Sequence, residues 1–298
     1  MPRMRRMNVH FFRVAMKDGH SFAGFLNAVF DLSAEQRTIE VKGVPYRLDS
    51  LHQSDRYFEG EMVRLRDDYH PGKYKLDQPG VLKLGLEHDE LLGEETAFVY
   101  DSVLNVVAIQ RSFGGAGAGA FAGYFRRFLN AGDDAFSLEV VLTEDQMLRL
   151  SRIEEYRSFE VEIAPVPGEF LRGMAPLRHL AEIQSASNAP SVTLSLGMGR
   201  QRKGALSAGF MSGVMRDLLR SLASDDGHAK SAVRKLRVGG RQGEDLEGEV
   251  IDLLAQRMTE LVKFPYDDRY IPYSVRRERL KEAYRNREPE LRRIYGQA

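Results

Sequence analysis

The chain has 298 residues, 43% of them apolar and 29% charged; this is room for two domains or one large one, and it excludes wholesale disorder, a collagen-like build and a coiled coil. The absence of cysteine excludes disulfides, thiolate nucleophiles, iron–sulfur clusters and cysteine-ligated zinc. Lys+Arg and Asp+Glu both number 43, and a net charge of zero, taken alone, argues against a polyanion as partner.

In chain order, the basic start MPRMRRMNVHFF carries an apolar run that breaks at Arg13 and Lys17, too early for a signal peptide or a membrane span, so a cytoplasmic location is expected. Residues 8–16 (NVHFFRVAM) read as a strand, and Ser21 opens a helix over FAGFLNAVFDL. RTIEVKG, VPYRLDSL and YFEGEMVRLRD then alternate as an antiparallel meander, with Lys42-Gly43 as a turn. Residues 66–92 read as an exposed, mildly acidic connection. TAFVYDS and LNVVAIQRSF form a strand pair, and FGGAGAGAFAGYFRRFLNAG passes from a glycine-rich turn into a helix ending at Asn130 and Gly132.

AGDDAF is the best linker, and beyond it helices and strands alternate: strand SLEVVL, helix EDQMLRLSRIEEY capped by Thr143, strand SFEVEIAPV, a helix within 169–187, strand SVTLSLGMG, helix GALSAGFMSGVMRDLLRSLA and strand AVRKLRVGG. EGEVIDLLAQRMTELVKF has the clearest amphipathic helical period, and the basic tail SVRRERLKEAYRNREPELRRIYG is helical. The expected fold class is α/β: an α+β domain over 1–132 built on the meander, an alternating α/β domain over 133–242, and C-terminal helices over 243–298 packing back on the first domain.

Several motifs suggest chemistry, and each has a plainer reading. GAGAGA, Gly115 to Ala120, resembles a dinucleotide fingerprint with Glu139 downstream, but the strands before it look antiparallel, so small residues at Gly117, Gly119 and Gly123 read as a helix packing closely on a sheet. Asp31, Glu40 and Lys42 follow the pattern of a divalent-metal nuclease, yet Glu40 and Lys42 alternate with Ile39 and Val41 as on any half-exposed strand. His179 and Glu182 fit a helix face, and Glu87 to Glu95 is a solvated acidic run. The seven histidines never fall at i, i+4, so no sequence-local metal site is expected, nor any cofactor or catalytic residue.

Charge is segregated along the chain. Residues 1–13 hold four Arg and no acid, 198–241 ten Lys/Arg against three Asp, and 269–298 nine against four Glu. Such a pattern presents a basic face on a neutral protein, which makes double-stranded DNA the expected partner. The candidate contacts are Arg200, Arg202 and Lys203, on a turn that opens a helix, with Lys230, Arg234, Lys235, Arg237 and Arg241 around the next strand. No aromatic residue lies between 211 and 263, which favours backbone contact to a duplex over base stacking.

The order NVHFFRVAM, SFAGFLNAVF, TIEVKGVPYRLDSL, YFEGEMVRLRDD and ETAFVYDSVLNVVAIQRSFGG, with SVTLSLGMGRQRKG later, resembles the RexA family of phage-exclusion DNA-binding proteins. The KwaB defence protein is similar in broad character. The resemblance implies a homodimeric, sequence-nonspecific DNA binder of a prophage or antiphage system, acting with a membrane-protein partner and not itself inserted. It carries over Arg200, Arg202 and Lys203 as DNA contacts, whereas the glycine-rich GGAGAGA departs from the family pattern.

Overall fold

The computed structural model describes residues 3–16, 21–66, 73, 77, 84–129, 136–163, 178–187, 189, 191–199, 204–223, 233–241, 249–253 and 257–296. Its elements run β1 (Met4–Met16), α1 (Phe22–Phe30), β2 (Thr38–Val41), β3 (Val44–Ser54), β4 (Tyr57–Arg66), β5 (Leu92–Asp101), β6 (Val106–Arg111) and α2 (Ala118–Leu129). Then come β7 (Phe136–Val140), α3 (Glu144–Ser151), β8 (Glu155–Ile163), α4 (Arg178–Ser187), β9 (Val192–Gly197), α5 (Ala208–Ala223), β10 (Val233–Arg241), β11 (Glu249–Asp252), β12 (Thr259–Pro265) and α6 (Tyr273–Tyr295). The protein is of mixed α and β content, with two antiparallel sheets.

The larger sheet has the order β12-β1-β6-β5-β4-β3-β2, and β7 also pairs with β1. The length of β1 makes this possible. Its residues 4–10 pair with β12 and its residues 12–16 with β7, so two strands follow one another along one edge while β6 takes the other. Lys42 and Gly43 both have positive φ, +53° and +77°, and close the β2–β3 hairpin as the turn signal implies. The smaller sheet has the order β11-β10-β8-β9.

Alternation along β1 sends side chains to two cores. Phe12 and Val14 join Phe98, Tyr100 and Ile109 under α1 and α2, and this core continues into Phe159 and Val161 of β8 and Met211 and Leu218 of α5. Met7, Val9 and Phe11 face the other way and are covered by Leu280, Ala283, Tyr284 and Leu291 of α6. Tyr124 locks α2 in place: its hydroxyl donates to the carbonyl of Arg37 at 2.7 Å and accepts from the N–H of Leu48 at 3.1 Å.

Three local expectations are corrected. The stretch expected as the clearest amphipathic helix forms β11 and β12 instead. Val250, Ile251, Val262 and Phe264 are β-formers, and from Thr259 to Pro265 burial alternates with period two, which the free edge of β1 rewards with a full ladder. The alternating helices and strands of 133–242 do not make parallel βαβ units: β8 pairs antiparallel with both β9 and β10, and β7 leaves for the first sheet. Thr143 takes the extended backbone of an N-cap but makes no side-chain capping bond. The first N–H of α3, at Glu144, is instead satisfied by Glu290 Oε1 of α6 at 2.8 Å.

Helix α6 docks through buried charge. Arg276 is ion-paired to Glu61 of β4 and, at 2.9 Å, to Glu95 of β5. Glu59, 3% exposed in its side chain, receives both Arg277 and Lys281 at 3.3 Å. Asp101 accepts from the hydroxyl of Tyr284 at 2.8 Å, from the N–H groups of Val103 and Leu104, and from Arg56 at 3.2 Å. Burial pushes the Glu61 carboxyl up to about 7, against the opposing pull of Arg276.

A raised carboxyl pKa means that the folded state keeps a proton which the unfolded chain releases. Stability from Glu61 is therefore greatest below about 4.5, falls as pH rises through the interval to about 7, and stays reduced above it. Urea unfolding at pH 5 and pH 8 should show the parent losing about 1–3 kcal/mol more than Glu61→Gln across that interval. Parallel pH profiles for the two proteins would refute the assignment.

Candidate nucleic-acid interface

Helices α1 and α2 cover the middle of one face of the large sheet and leave a corner of it open. On that face β1 presents Arg6 and Asn8, both exposed, ahead of the buried Phe12 and Val14. The ladder pairs Arg6 with Lys263 and Asn8 with Leu261 on β12, and Asn8 with Arg111 on β6. Lys263 and Arg111 are exposed as well. Strand spacing puts such neighbours about 5 Å apart across the sheet and about 6.6 Å apart along it.

Arg257, just before β12, reaches the same corner. Burial lowers its pKa, and the charge of Arg111 lowers it further. Two guanidiniums thus repel one another, one of them half-buried. Among the described residues none of Arg6, Arg111, Arg257 and Lys263 has a carboxylate partner. The acids nearby are turned away: Glu260 of β12 faces α6, where it accepts from Arg287 at 2.8 Å and Asn286 at 3.1 Å. Glu94 is taken up by Arg64 and Arg66 at 3.3 and 3.1 Å. Four unmatched cations from three adjacent strands, with Asn8, Thr259 and Leu261 between them, form a surface suited to phosphate oxygens.

The residues singled out from sequence are distributed differently. Arg200, Arg202, Lys203 and Lys230 lie outside the described residues, as does the side chain of Arg234. Lys235 and Arg237 stand on the outer face of β10 opposite Glu162 and Glu160, and each is ion-paired, Lys235 with Glu160 at 2.8 Å and Arg237 with Asp252 at 3.4 Å. Arg241 ends the strand, where its carbonyl accepts from the N–H of Glu154 at 3.0 Å. This sheet face is charge-balanced. In the tail, Arg292 and Arg293 are exposed and are paired with Glu288 and Glu144, both at 2.8 Å.

The glycine loop is a packing device. β5 and β6 are antiparallel, so it is not the first turn of a parallel βαβ unit. Gly114, at φ +87°, lies against the Glu94 carboxylate, and its carbonyl accepts from Arg64 at 3.1 Å. A Cβ on Gly123 would come within 2.7 Å of Val41, so α2 approaches β2 closely. Asp31 caps the C-terminus of α1, Glu40 is exposed on β2, and Lys42 occupies the turn after it. Among the described residues no group of His, Asp and Glu is arranged to hold a metal ion. Glu182 is exposed on α4, and the side chain of His179 lies outside the described residues. The acidic run divides: Glu87, Asp89 and Glu90 are exposed, while Glu94 and Glu95 hold arginines. Among the described residues no helix is long and apolar enough to cross a membrane.

Sequence reasoning missed Arg111, Arg257 and Lys263 because each stands alone in a locally neutral stretch. Only the pairing of β12 and β6 with β1 collects them beside Arg6. No curated protein matches the chain. A family model described as a family of unknown function, DUF6731, matches residues 13–289, nearly the whole length, and the chain belongs to that family.

Proposed function

We propose that this protein binds duplex DNA through its phosphates without reading base sequence. The observation that carries this reading is the corner holding Arg6, Arg111, Arg257 and Lys263, none of which has a carboxylate partner among the described residues. Duplex DNA carries one negative charge per about 1.7 Å of axis, so a patch of closely spaced cations gains by displacing condensed counterions even where the chain is neutral overall. The RexA-like order of elements extends the reading to a homodimer in a prophage or antiphage setting, where two copies of the patch flank a two-fold axis. Arg200, Arg202 and Lys203 would add contacts to the same ligand.

An electrophoretic shift with random duplex across a salt series tests the proposal. Binding is expected at about 50 mM salt, weakening with a log–log slope of about −3 to −4 for four phosphate contacts. No shift at low salt overturns the reading. Plasmid left intact with magnesium or manganese separates binding from a metal-dependent nuclease, for which cleavage lost on Glu40→Ala would be the signature.

A further inference from the structure

At the other end of β1, remote from the open corner, lies a second basic feature of a different shape. A cleft of about 450 Å³ is walled by Arg13 and Val14 to Met16 on β1, by Glu139 on β7, by Asn105 before β6, and by Arg216 and Arg220 on α5. Its volume is in the range of pockets that enclose a small organic ligand. Its lining holds three arginines and one carboxylate.

Two of the three cations are held in place, and the third is open. The Arg13 guanidinium lies over the ring of Tyr295, 5.3 Å from its centre, at the end of α6. The register of β1 and β7 sets Arg13 directly opposite Glu139. Arg220 donates to Glu139 at 3.0 Å. Arg216 is one helical turn from Arg220 on the same side of α5, is exposed, and has no ion pair among the described residues. Like charges at i, i+4 oppose each other along a helix, and a bound anion between them removes that cost. Asn105, at φ +53°, accepts from the Tyr100 hydroxyl at 2.6 Å through Oδ1, which leaves its Nδ2 hydrogens for a ligand.

We infer that this cleft is a binding site for a small phosphorylated organic molecule of about the size of a mononucleotide. The guanidiniums of Arg13, Arg216 and Arg220 offer forked donors that match phosphate oxygens. Glu139, fixed by Arg220, gives an acceptor for a ligand hydroxyl or amine. Val14, Ala15 and Met16 give the ligand body a wall. The site is built where β1, β7 and α5 meet, and α5 packs chiefly on β7.

Calorimetric titration of the full chain at low salt, with AMP, ribose 5-phosphate, inorganic phosphate and adenosine in turn, tests this. AMP and ribose 5-phosphate should bind, inorganic phosphate should compete with them, and adenosine should not bind. Arg216→Ala should weaken AMP binding about 10- to 100-fold, the size of a charge-assisted hydrogen bond, while its melting temperature stays that of the parent because Arg216 is exposed and has no ion pair among the described residues. Arg216→Lys should restore part of the affinity. The variant Arg6→Ala/Arg111→Ala/Lys263→Ala should bind AMP normally, and Arg216→Ala should shift duplex DNA normally, so this inference and the DNA reading fail separately. Failure of every phosphate to bind, equal affinity in Arg216→Ala, or adenosine binding as well as AMP would each overturn the assignment. So would loss of AMP binding in the sheet-face variant with retention in Arg216→Ala, which would move the site to the open corner.

Discussion

The triple variant Arg6→Ala/Arg111→Ala/Lys263→Ala is expected to lose most affinity for random duplex while folding as the parent does. Each phosphate contact contributes about 0.9 to the salt slope, or about an eightfold factor at 0.1 M salt, so three lost contacts reduce affinity about 500-fold and flatten the slope by about 2.7. Losses should be the same for every duplex sequence, since none of these side chains is asked to read a base. Folding should survive because all three are exposed and make no ion pair among the described residues. Lys235→Ala/Arg237→Ala is the matched control. Those cations are already neutralised by Glu160 and Asp252, so their removal should cost less than about tenfold. Shift titrations at three salt concentrations measure all of this. A triple variant within twofold of the parent, with Arg200→Ala/Arg202→Ala/Lys203→Ala strongly impaired, would put the DNA on the segment after β9 instead.

What was legible from sequence followed from local chemistry. The strands β1 to β6, the Lys42-Gly43 turn and the helix after the glycine-rich loop needed only neighbours a few residues apart. Reading failed where a distant partner decided the outcome. Residues 249–265 carry apolar positions that satisfy both a helical and a strand period, and the edge of β1, about 250 residues away, selects the strand. The same event determines the candidate site. As a helix the stretch would have carried Lys263 on a solvated face; as β12 it sets Lys263 beside Arg6. Charge counting along the chain found Arg6 within a basic segment but passed over Arg111 and Arg257, single cations whose significance lies in having no carboxylate partner among the described residues. It also marked Lys235 and Arg237, whose neutralising carboxylates come from β8 and β11 and are invisible in a one-dimensional count.

Arg276→Ala should be among the most destabilising single substitutions, costing about 3–5 kcal/mol at pH 8. The side chain is buried in the first turn of α6 between Glu61 and Glu95, and truncation leaves Glu61 buried without its cation, where it must either ionise unpaired or hold a proton. The size of the effect should depend on pH in a definite direction. Glu61 already resists ionisation, with its pKa near 7 in the presence of Arg276; without the arginine it moves higher still, so at pH 5.5 the carboxyl is protonated in both proteins and about 1 kcal/mol of the penalty disappears. Urea unfolding of Arg276→Ala at pH 5.5 and 8 should therefore give a smaller loss at the lower pH, whereas a lost packing contact would give the same loss at both. Replacing the pair together, Arg276→Met with Glu61→Leu, should recover most of the stability, because a well-packed apolar pair avoids the desolvation of two charges. What the double variant should not recover is the orientation of α6, since Glu59 and Asp101 receive Arg277, Lys281 and Tyr284 only when the helix starts in register with β4 and β5. Hydrogen exchange along 273–295 reads that directly: faster exchange at unchanged global stability would mean that the buried charges select how α6 docks more than how tightly. An equal loss for Arg276→Ala at both pH values would show that Glu61 does not carry the charge penalty.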